Sequence, residues 1–277
     1  MISRNPDRRD VMKRKIIITA NEYDKSIRTA RALTSKLEGA GFEVMNELDH
    51  DAELIIAIGG DGSFLKTLHD FGFPEIPIVG INTGHLGFFQ EIMPHQIDNF
   101  IEIYLNKSFF IQEIHPLEAS ICTRSSCIEL QAVNEFAVKG LKSRTIHLNI
   151  SVNNNFIECF SGDGVILSTP TGSTAYNYST GGSIVDPSLK LIQVTPLSPI
   201  NTNAYRSFTS SLILPQDAVV KVSPEYRFED SILFVTDGIE HRHNQIVDIL
   251  FQTSTINIKL LRLNGYEFWS KVTEKFL

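Results

Sequence analysis

The sequence predicts an α/β domain built on a parallel sheet, followed by a second, mainly β domain. Strand-like and helix-like segments alternate up to about residue 106. Beyond residue 108 the chain turns to short β-rich runs separated by polar turns. Two of the early strands also run directly into glycine-bearing turns, as ligand-binding edges of parallel sheets do.

The elements follow in order. "RKIIITA" (14–20) is short, β-branched and continuous, as a buried parallel strand should be. Asn21 is placed to cap the next segment, "YDKSIRTARALTSKLEGAG". There Ile27, Ala30, Leu33 and Leu37 recur at helical spacing, and Gly39 and Gly41 mark the stop. "FEVMN" and "ELIIAI" (53–58) are the second and third strands. "FLKTLHDFG" has helical period with Gly72 as its end, and "IPIVGI" (76–81) is the fourth strand. "MPHQIDNFIEIYLNK" reads as a helix with Pro94 near its first turn.

The first domain therefore spans 1–107 and the β-rich domain 108–264. The strand candidates of the second are "FFIQEIHPLEASICT", "CIELQAVNEFAVK", "TIHLNISVNNNFIECF", "GVILST", "LILP", "AVVKVS", "SILFVTDG" and "QIVDILFQ". Among them only "STAYNYSTGG" looks briefly helical. The closing stretch, about 265–277, carries Phe268, Val272 and Phe276 on one stripe. That stripe would let it pack back on the first domain, so the domains need not be contiguous.

Composition narrows the function. Apolar residues make up 42% and charged residues 21%, so a core is available and disorder is not expected. No apolar run reaches the roughly 18 residues of a membrane helix, and "MISRNPDRRDVMKRK" reads as a frayed extension, not a secretory signal. A net charge of −7 argues against a nucleic-acid-coating surface. Cys122, Cys127 and Cys159 are odd in number and lack zinc-ligand spacing, which predicts free thiols in a reducing, cytoplasmic compartment.

The chemistry concentrates in four stretches. In "GGDG" (59–62) the glycines permit close backbone approach, and Gly62 and Ser63 begin a helix whose N–H groups favour phosphate. The stretch fits neither G-x-G-x-x-G nor Walker A. A carboxylate beside a phosphate cradle repels its ligand unless it has a task. Asp61 could coordinate Mg²⁺, accept a proton from an attacking hydroxyl, or simply cap the helix. "NTGHLGFF" (82–89) is the second turn, with Phe88 and Phe89 as candidate ring partners for a nucleotide and His85 as a structural histidine.

"AVNEFAVKG" puts Asn134 and Glu135 at a strand end, a donor–acceptor pair suited to ribose hydroxyls or an adenine edge. "KGLKSR" beside it adds three positive charges. The densest stretch is "SGDGVILSTPTGSTAYNYSTGGSIVDP" (161–187). It sets Asp163 between glycines, then Thr171, Thr174, Ala175, Tyr176 and Ser179 in a hydroxyl-rich run able to surround a polar ligand.

Taken in this order and spacing, "GGDGSFL", "NTGHLGFF", "NEF" and "GDGVILSTPTGSTAYNYSTGGSIVDP" closely resemble the NAD kinase family over roughly residues 14–270. The resemblance implies a Rossmann-like N-terminal domain, a β-sandwich-like C-terminal domain and an active site in the cleft between them. It implies transfer of the γ-phosphate of ATP, or of polyphosphate, to the 2′-hydroxyl of the adenosine ribose of NAD. Mg²⁺ or another divalent metal accompanies ATP, and no residue is assigned to it as a ligand.

By the same resemblance Asp61 activates the 2′-hydroxyl, with Gly62 beside it. Phe88 lies near the nucleotide, and Asn134 and Glu135 contact ribose and adenine. Asp163, Thr171, Thr174, Ala175, Tyr176 and Ser179 line the adenosine and nicotinamide pockets. Asp237, in "DGIEH", receives no role. A homo-oligomer, dimer or tetramer, is implied, with "TPLSPINTNAYRSF" (195–208) bordering a neighbour's site. Two rival readings share the G-G-D-G core: a lipid or sugar kinase, and a non-catalytic NAD(P) sensor.

Overall fold

The structure is a computed structural model, and it describes residues 14–202 and 206–276. Most of the frayed N-terminal extension, and three residues of the 195–208 stretch, lie outside the described residues. The Cα packing divides the chain into two units. One takes the residues up to Gln112 together with Lys259–Tyr266; the other takes Glu113–Ile258 and the residues from Glu267 on.

The first unit runs β1 (Lys15–Ala20), α1 (Asp24–Gly39), β2 (Glu43–Met45), β3 (Leu54–Gly59), α2 (Asp61–Asp70), β4 (Ile78–Asn82), β5 (Gln90–Ile92), α3 (Ile97–Leu105) and β6 (Phe109–Ile114). β3 and β4 are buried along their whole length, which is why both read as continuous apolar runs. β1 pairs in parallel with β2 and β3, and β3 with β4. Leu33 and Leu37 of α1 pack with Ile16, Ile56 and Phe100 into one core. The buried face of α1 is Ser26, Thr29, Leu33 and Leu37, so Ile27 and Ala30 stand at its margin.

The second unit contains β7 (Leu117–Thr123), β8 (Cys127–Ala132), β9 (Glu135–Gly140), β10 (Ile146–Val152), β11 (Asn155–Gly162), β12 (Gly164–Ser168), α4 (Tyr176–Ser179), β13 (Leu191–Leu197), β14 (Leu212–Pro215), β15 (Val220–Pro224), β16 (Ile232–Thr236), β17 (Ile239–His241) and β18 (Ile246–Thr253). After these come β19 (Ile258–Leu263), which joins the first unit's sheet beside β4, and α5 (Phe268–Phe276).

Two antiparallel six-stranded sheets form the second unit, β11-β10-β15-β18-β7-β8 and β14-β13-β12-β9-β16-β17. Their facing side chains make one core around Phe136, Phe160, Phe234 and Phe251. Phe136 lies 5.2 Å from Phe234 and 5.6 Å from Phe251, centroid to centroid. Truncating such a ring to alanine costs about 3–5 kcal/mol.

Two expectations change. The C-terminal segment that belongs to the first unit is β19, whereas α5 groups with the second. There the ring of Phe276 lies 4.4 Å from Tyr178, and Trp269 Nε1–H donates to Asp186 at 2.9 Å. Nor are all three cysteines free thiols. Cys122 and Cys127 face each other across the β7–β8 pairing, 4.1 Å apart at Cα, and form a disulfide; Cys159 remains free. Direct opposition in an antiparallel ladder brings the two Cβ atoms close enough to bridge, and spacing alone does not reveal that register.

Candidate active site

β3 and β4 are adjacent and parallel, with Gly59 opposite Asn82, so the two glycine-bearing turns that follow them open at the same carboxyl edge. Thr83 N–H donates to Gly59 O at 3.1 Å and ties the turns together. α2 starts at Asp61 with Gly60 as its N-cap, and no side chain caps it. Asp61 is therefore not the helix cap. Its carboxylate reaches the next turn instead, where Oδ2 accepts Phe88 N–H at 3.0 Å and Oδ1 accepts Phe89 N–H at 3.1 Å. Two N–H donors, one on each oxygen, fix the orientation of this carboxylate, which when ionised is an acceptor only.

Gly87 makes that approach possible. A Cβ there would collide with the Asp61 carboxylate. Phe88 itself is buried, and its main chain does the visible work: its carbonyl accepts Arg262 Nη1–H at 3.4 Å. Gly62 stands exposed as the second residue of the helix.

Arg262 was not singled out in the sequence, because Lys259 and Arg262 interrupt the apolar run of β19. It is buried, donates from Nε to Gln112 Oε1 at 2.8 Å, and pairs with the buried Glu91 at 3.7 Å. Its guanidinium lies 4.0 Å from the centre of the Tyr266 ring. Burial lowers its pKa, and Tyr266, Glu91 and Asp61 oppose that. It thus adds a fixed positive charge behind the Asp61 turn.

The second unit assembles the other predicted residues. Asn134 and Glu135 sit where β9 begins, and both are buried. Asp237, just past β16, grips this turn from behind. Its two carboxylate oxygens accept the N–H groups of Val133, Asn134 and Glu135 at 2.8, 2.7 and 3.2 Å. This is the role the sequence left unassigned to it, and the β9–β16 pairing creates it.

The hydroxyl-rich block folds onto the same turn. Thr169 Oγ1–H donates to Val133 O at 2.7 Å and accepts Gly172 N–H at 2.9 Å. Gly172 lies so close to the Asn134 backbone that a Cβ would overlap it. Farther along, Thr195 Oγ1–H donates to Asn177 Oδ1 at 2.6 Å, and Gln193 exchanges hydrogen bonds with Ser183 N–H and O. These contacts seat α4 over its sheet.

Burial, and then Asp237 nearby, pushes the Glu135 pKa up to about 8, against the lowering effect of the Tyr176 and Asn177 N–H groups. Asn134 Oδ1, Glu135 Oε2 and Asn177 Nδ2 are buried with no hydrogen-bond partner among the described residues. Each such group costs about 1–3 kcal/mol unless a ligand satisfies it. Thr174 is buried, while Thr171 and Ala175 are half-buried in the same turn.

Asp163, Tyr176 and Ser179 line a cavity of about 680 Å³ together with Lys139, Lys142 and Arg242. That is within the size range of small-molecule sites. Lys139 Nζ lies 5.4 Å from the centre of the Tyr176 ring, so two members of the "KGLKSR" basic run line this cavity.

Comparison with known proteins gives the family. The ATP-NAD kinase N-terminal domain matches residues 16–109, and the ATP-NAD kinase C-terminal domain matches residues 133–263. The chain belongs to the NAD kinase family. It is 41% identical over 268 residues to the NAD kinase of Finegoldia magna, covering 95% of this chain and 97% of that one. It is 31% identical to the NAD kinase of Staphylococcus saprophyticus over 240 residues, 85% of this chain and 88% of the relative.

Two solved structures share the fold at 20% identity. The yeast NADH kinase complexed with NADH has a TM-score of 0.84, covering 95% of this chain and 87% of that one. An NAD kinase from Archaeoglobus fulgidus in complex with ATP has a TM-score of 0.73, covering 95% and 97%. The α/β unit with a strand-rich partner is thus the two-part fold of NAD kinases. No helix among the described residues is long and apolar enough to cross a membrane.

Proposed function

We infer that the chain carries out its family's reaction, phosphorylation of the 2′-hydroxyl of the adenosine ribose of NAD by ATP, giving NADP. The observation that carries the catalytic part is the Asp61 carboxylate, held at the glycine turn by two main-chain N–H groups. Asp61 orients the ribose 2′-hydroxyl and accepts its proton as the hydroxyl oxygen attacks the terminal phosphorus. The N–H groups at the start of α2 face the phosphates. Positioning and charge stabilisation supply most of the rate in such a transfer, because little covalent work falls to the protein.

Dinucleotide recognition falls to the second unit. Asn134 Oδ1, Glu135 Oε2 and Asn177 Nδ2 are the buried groups for the nucleoside's hydroxyls and base edge. With a pKa near 8, Glu135 is protonated at neutral pH, so it offers an O–H donor as well as a carbonyl acceptor. Asp163, Tyr176 and Ser179 line the cavity of about 680 Å³, with Thr171, Thr174 and Ala175 in the turn before α4.

Mg²⁺, or another divalent metal, would enter with ATP, and the Asp61 carboxylate is a hard oxygen donor of the kind it accepts. When bound, the cation neutralises charge on the phosphates. We also propose polyphosphate as a second donor. We further infer a cytoplasmic location, a compartment that supplies both ATP and NAD. We further infer a homo-oligomer, dimer or tetramer; exposed Phe156 and Ile157 are surface that a second copy would cover.

Incubating purified protein with NAD, ATP and Mg²⁺ and assaying NADP tests the activity. NADP formation supports it. NAD binding without turnover would favour a sensor, and phosphorylation of a lipid or sugar instead would favour another kinase class.

A further inference from the structure

We propose that His147, Cys159 and Glu225 form a binding site for a divalent transition-metal ion of the zinc class. The site lies on the β11-β10-β15 sheet, whereas the dinucleotide residues lie on the other sheet or in the loops over it.

Backbone geometry fixes all three side chains. In the β10–β11 pairing His147 lies opposite Ser161 and Asn149 opposite Cys159, so His147 and Cys159 are diagonal neighbours on one face. Ile146, Leu148, Ile150 and Phe160 turn inward to the core, which sends the alternate residues outward. Glu225 follows β15 directly, and its N–H donates to His147 O at 3.1 Å. The imidazole, thiol and carboxylate ligand atoms all lie within 4.8 Å of one another. Cys159 Sγ and Glu225 Oε1 are already 3.4 Å apart. Tetrahedral zinc, with bonds of about 2.0–2.3 Å, sets its ligands roughly 3.3–3.8 Å apart. Reaching that spacing from the 4.8 Å bound takes a side-chain adjustment of about 1 Å.

The donor set selects the ion. A thiolate with an imidazole and one carboxylate suits zinc or cobalt, while Mg²⁺ wants oxygen donors alone. Supporting groups are present as well. Arg227 Nη2 lies 3.3 Å from Glu225 Oε2, which leaves Oε1 turned toward Cys159. The Phe228 ring packs 5.0 Å from the imidazole. Partners of this kind orient ligands and shield a metal from water. Three protein ligands leave the fourth position for water. Binding forms the metal–sulfur bond as the thiol proton leaves to solvent, with no change of oxidation state.

The test is cobalt titration of the full-length, reduced and chelator-treated protein, read by absorption, with zinc competition. A single cobalt ion per chain should give a thiolate-to-cobalt charge-transfer band, and zinc should bleach it. C159S should lose the band. H147Q and E225Q should each weaken cobalt binding about tenfold or more. A C122S/C127S double variant should keep the band. Mg²⁺-dependent NADP formation should survive in C159S, H147Q and E225Q, which also shows that they fold. The proposal is overturned if the wild type binds no cobalt against a competing chelator, if C159S keeps the band, or if C122S/C127S loses it. Should C159S not fold, the H147Q and E225Q affinities decide alone: unchanged binding in both overturns the site.

Discussion

The Asp61 carboxylate accepts the main-chain N–H of Phe88 at 3.0 Å, so the residue assigned to the substrate hydroxyl is fixed by the neighbouring turn and not by its own helix. Two adjacent parallel strands bring those turns together. The carboxylate is thereby oriented before any substrate arrives, which removes reorganisation from the reaction.

Gly87 should be as necessary as Asp61. The Cβ of G87A would meet the Asp61 carboxylate and displace it. We expect a loss of about 1–3 kcal/mol in stability, as for other overpacked sites, and a large fall in kcat. Thermal melting and NADP assays check both, and an unchanged kcat would detach the turn from catalysis.

Arg262 tests the buried charge behind the turn. R262M takes the guanidinium away from the Glu91 carboxylate, whose side chain is buried beside it. Removing one partner of a buried pair costs about 3–5 kcal/mol. Denaturant unfolding should show that loss, and E91Q/R262M should recover part of it. Equal stability of R262M and wild type would mean that the pair carries no weight.

Glu135 gives a pH signature. Its folded pKa is raised from 4.5 to about 8, first by burial and then by Asp237. The fold favours the protonated form, so that contribution to stability is full below the unfolded value and is lost as pH rises through about 8. E135Q stays neutral and lacks this slope. Its melting temperature should therefore gain on wild type by a few degrees between pH 5 and pH 9. Parallel curves would contradict the shift.

Tyr176 lies partly exposed on the cavity wall, with Lys139 near its ring. Y176A should raise the Kd for NAD about tenfold, roughly 1.4 kcal/mol, and leave kcat nearly intact. An unchanged Kd in calorimetry would remove Tyr176 from the dinucleotide site.

Much of this was legible in the sequence because the chemistry sits on local patterns. The apolar runs of β1, β3 and β4, with the glycines that follow β3 and β4, announce a parallel sheet and its ligand edge. β13 was missed because Gln193, Thr195 and Pro196 look like a loop, although the strand is almost wholly buried. Its polar side chains are internal because they hold the block over the sheet. β19 was missed for a similar reason, since Lys259 and Arg262 interrupt its apolar run, and with it went Arg262. Asp237 has a positive φ of 46° and acts on residues about a hundred positions earlier. Only strand pairing creates that contact. The Cys122–Cys127 bridge likewise depends on register.

The most direct measurement is NADP formation by D61N, with NAD affinity measured in parallel. Asn keeps the shape of the side chain but removes the charge and the proton acceptor. We predict a fall in kcat of about 10²–10⁴-fold with an NAD Kd within a factor of about two of wild type. Near-wild-type turnover by D61N, with NAD binding unchanged, would contradict the role assigned to Asp61.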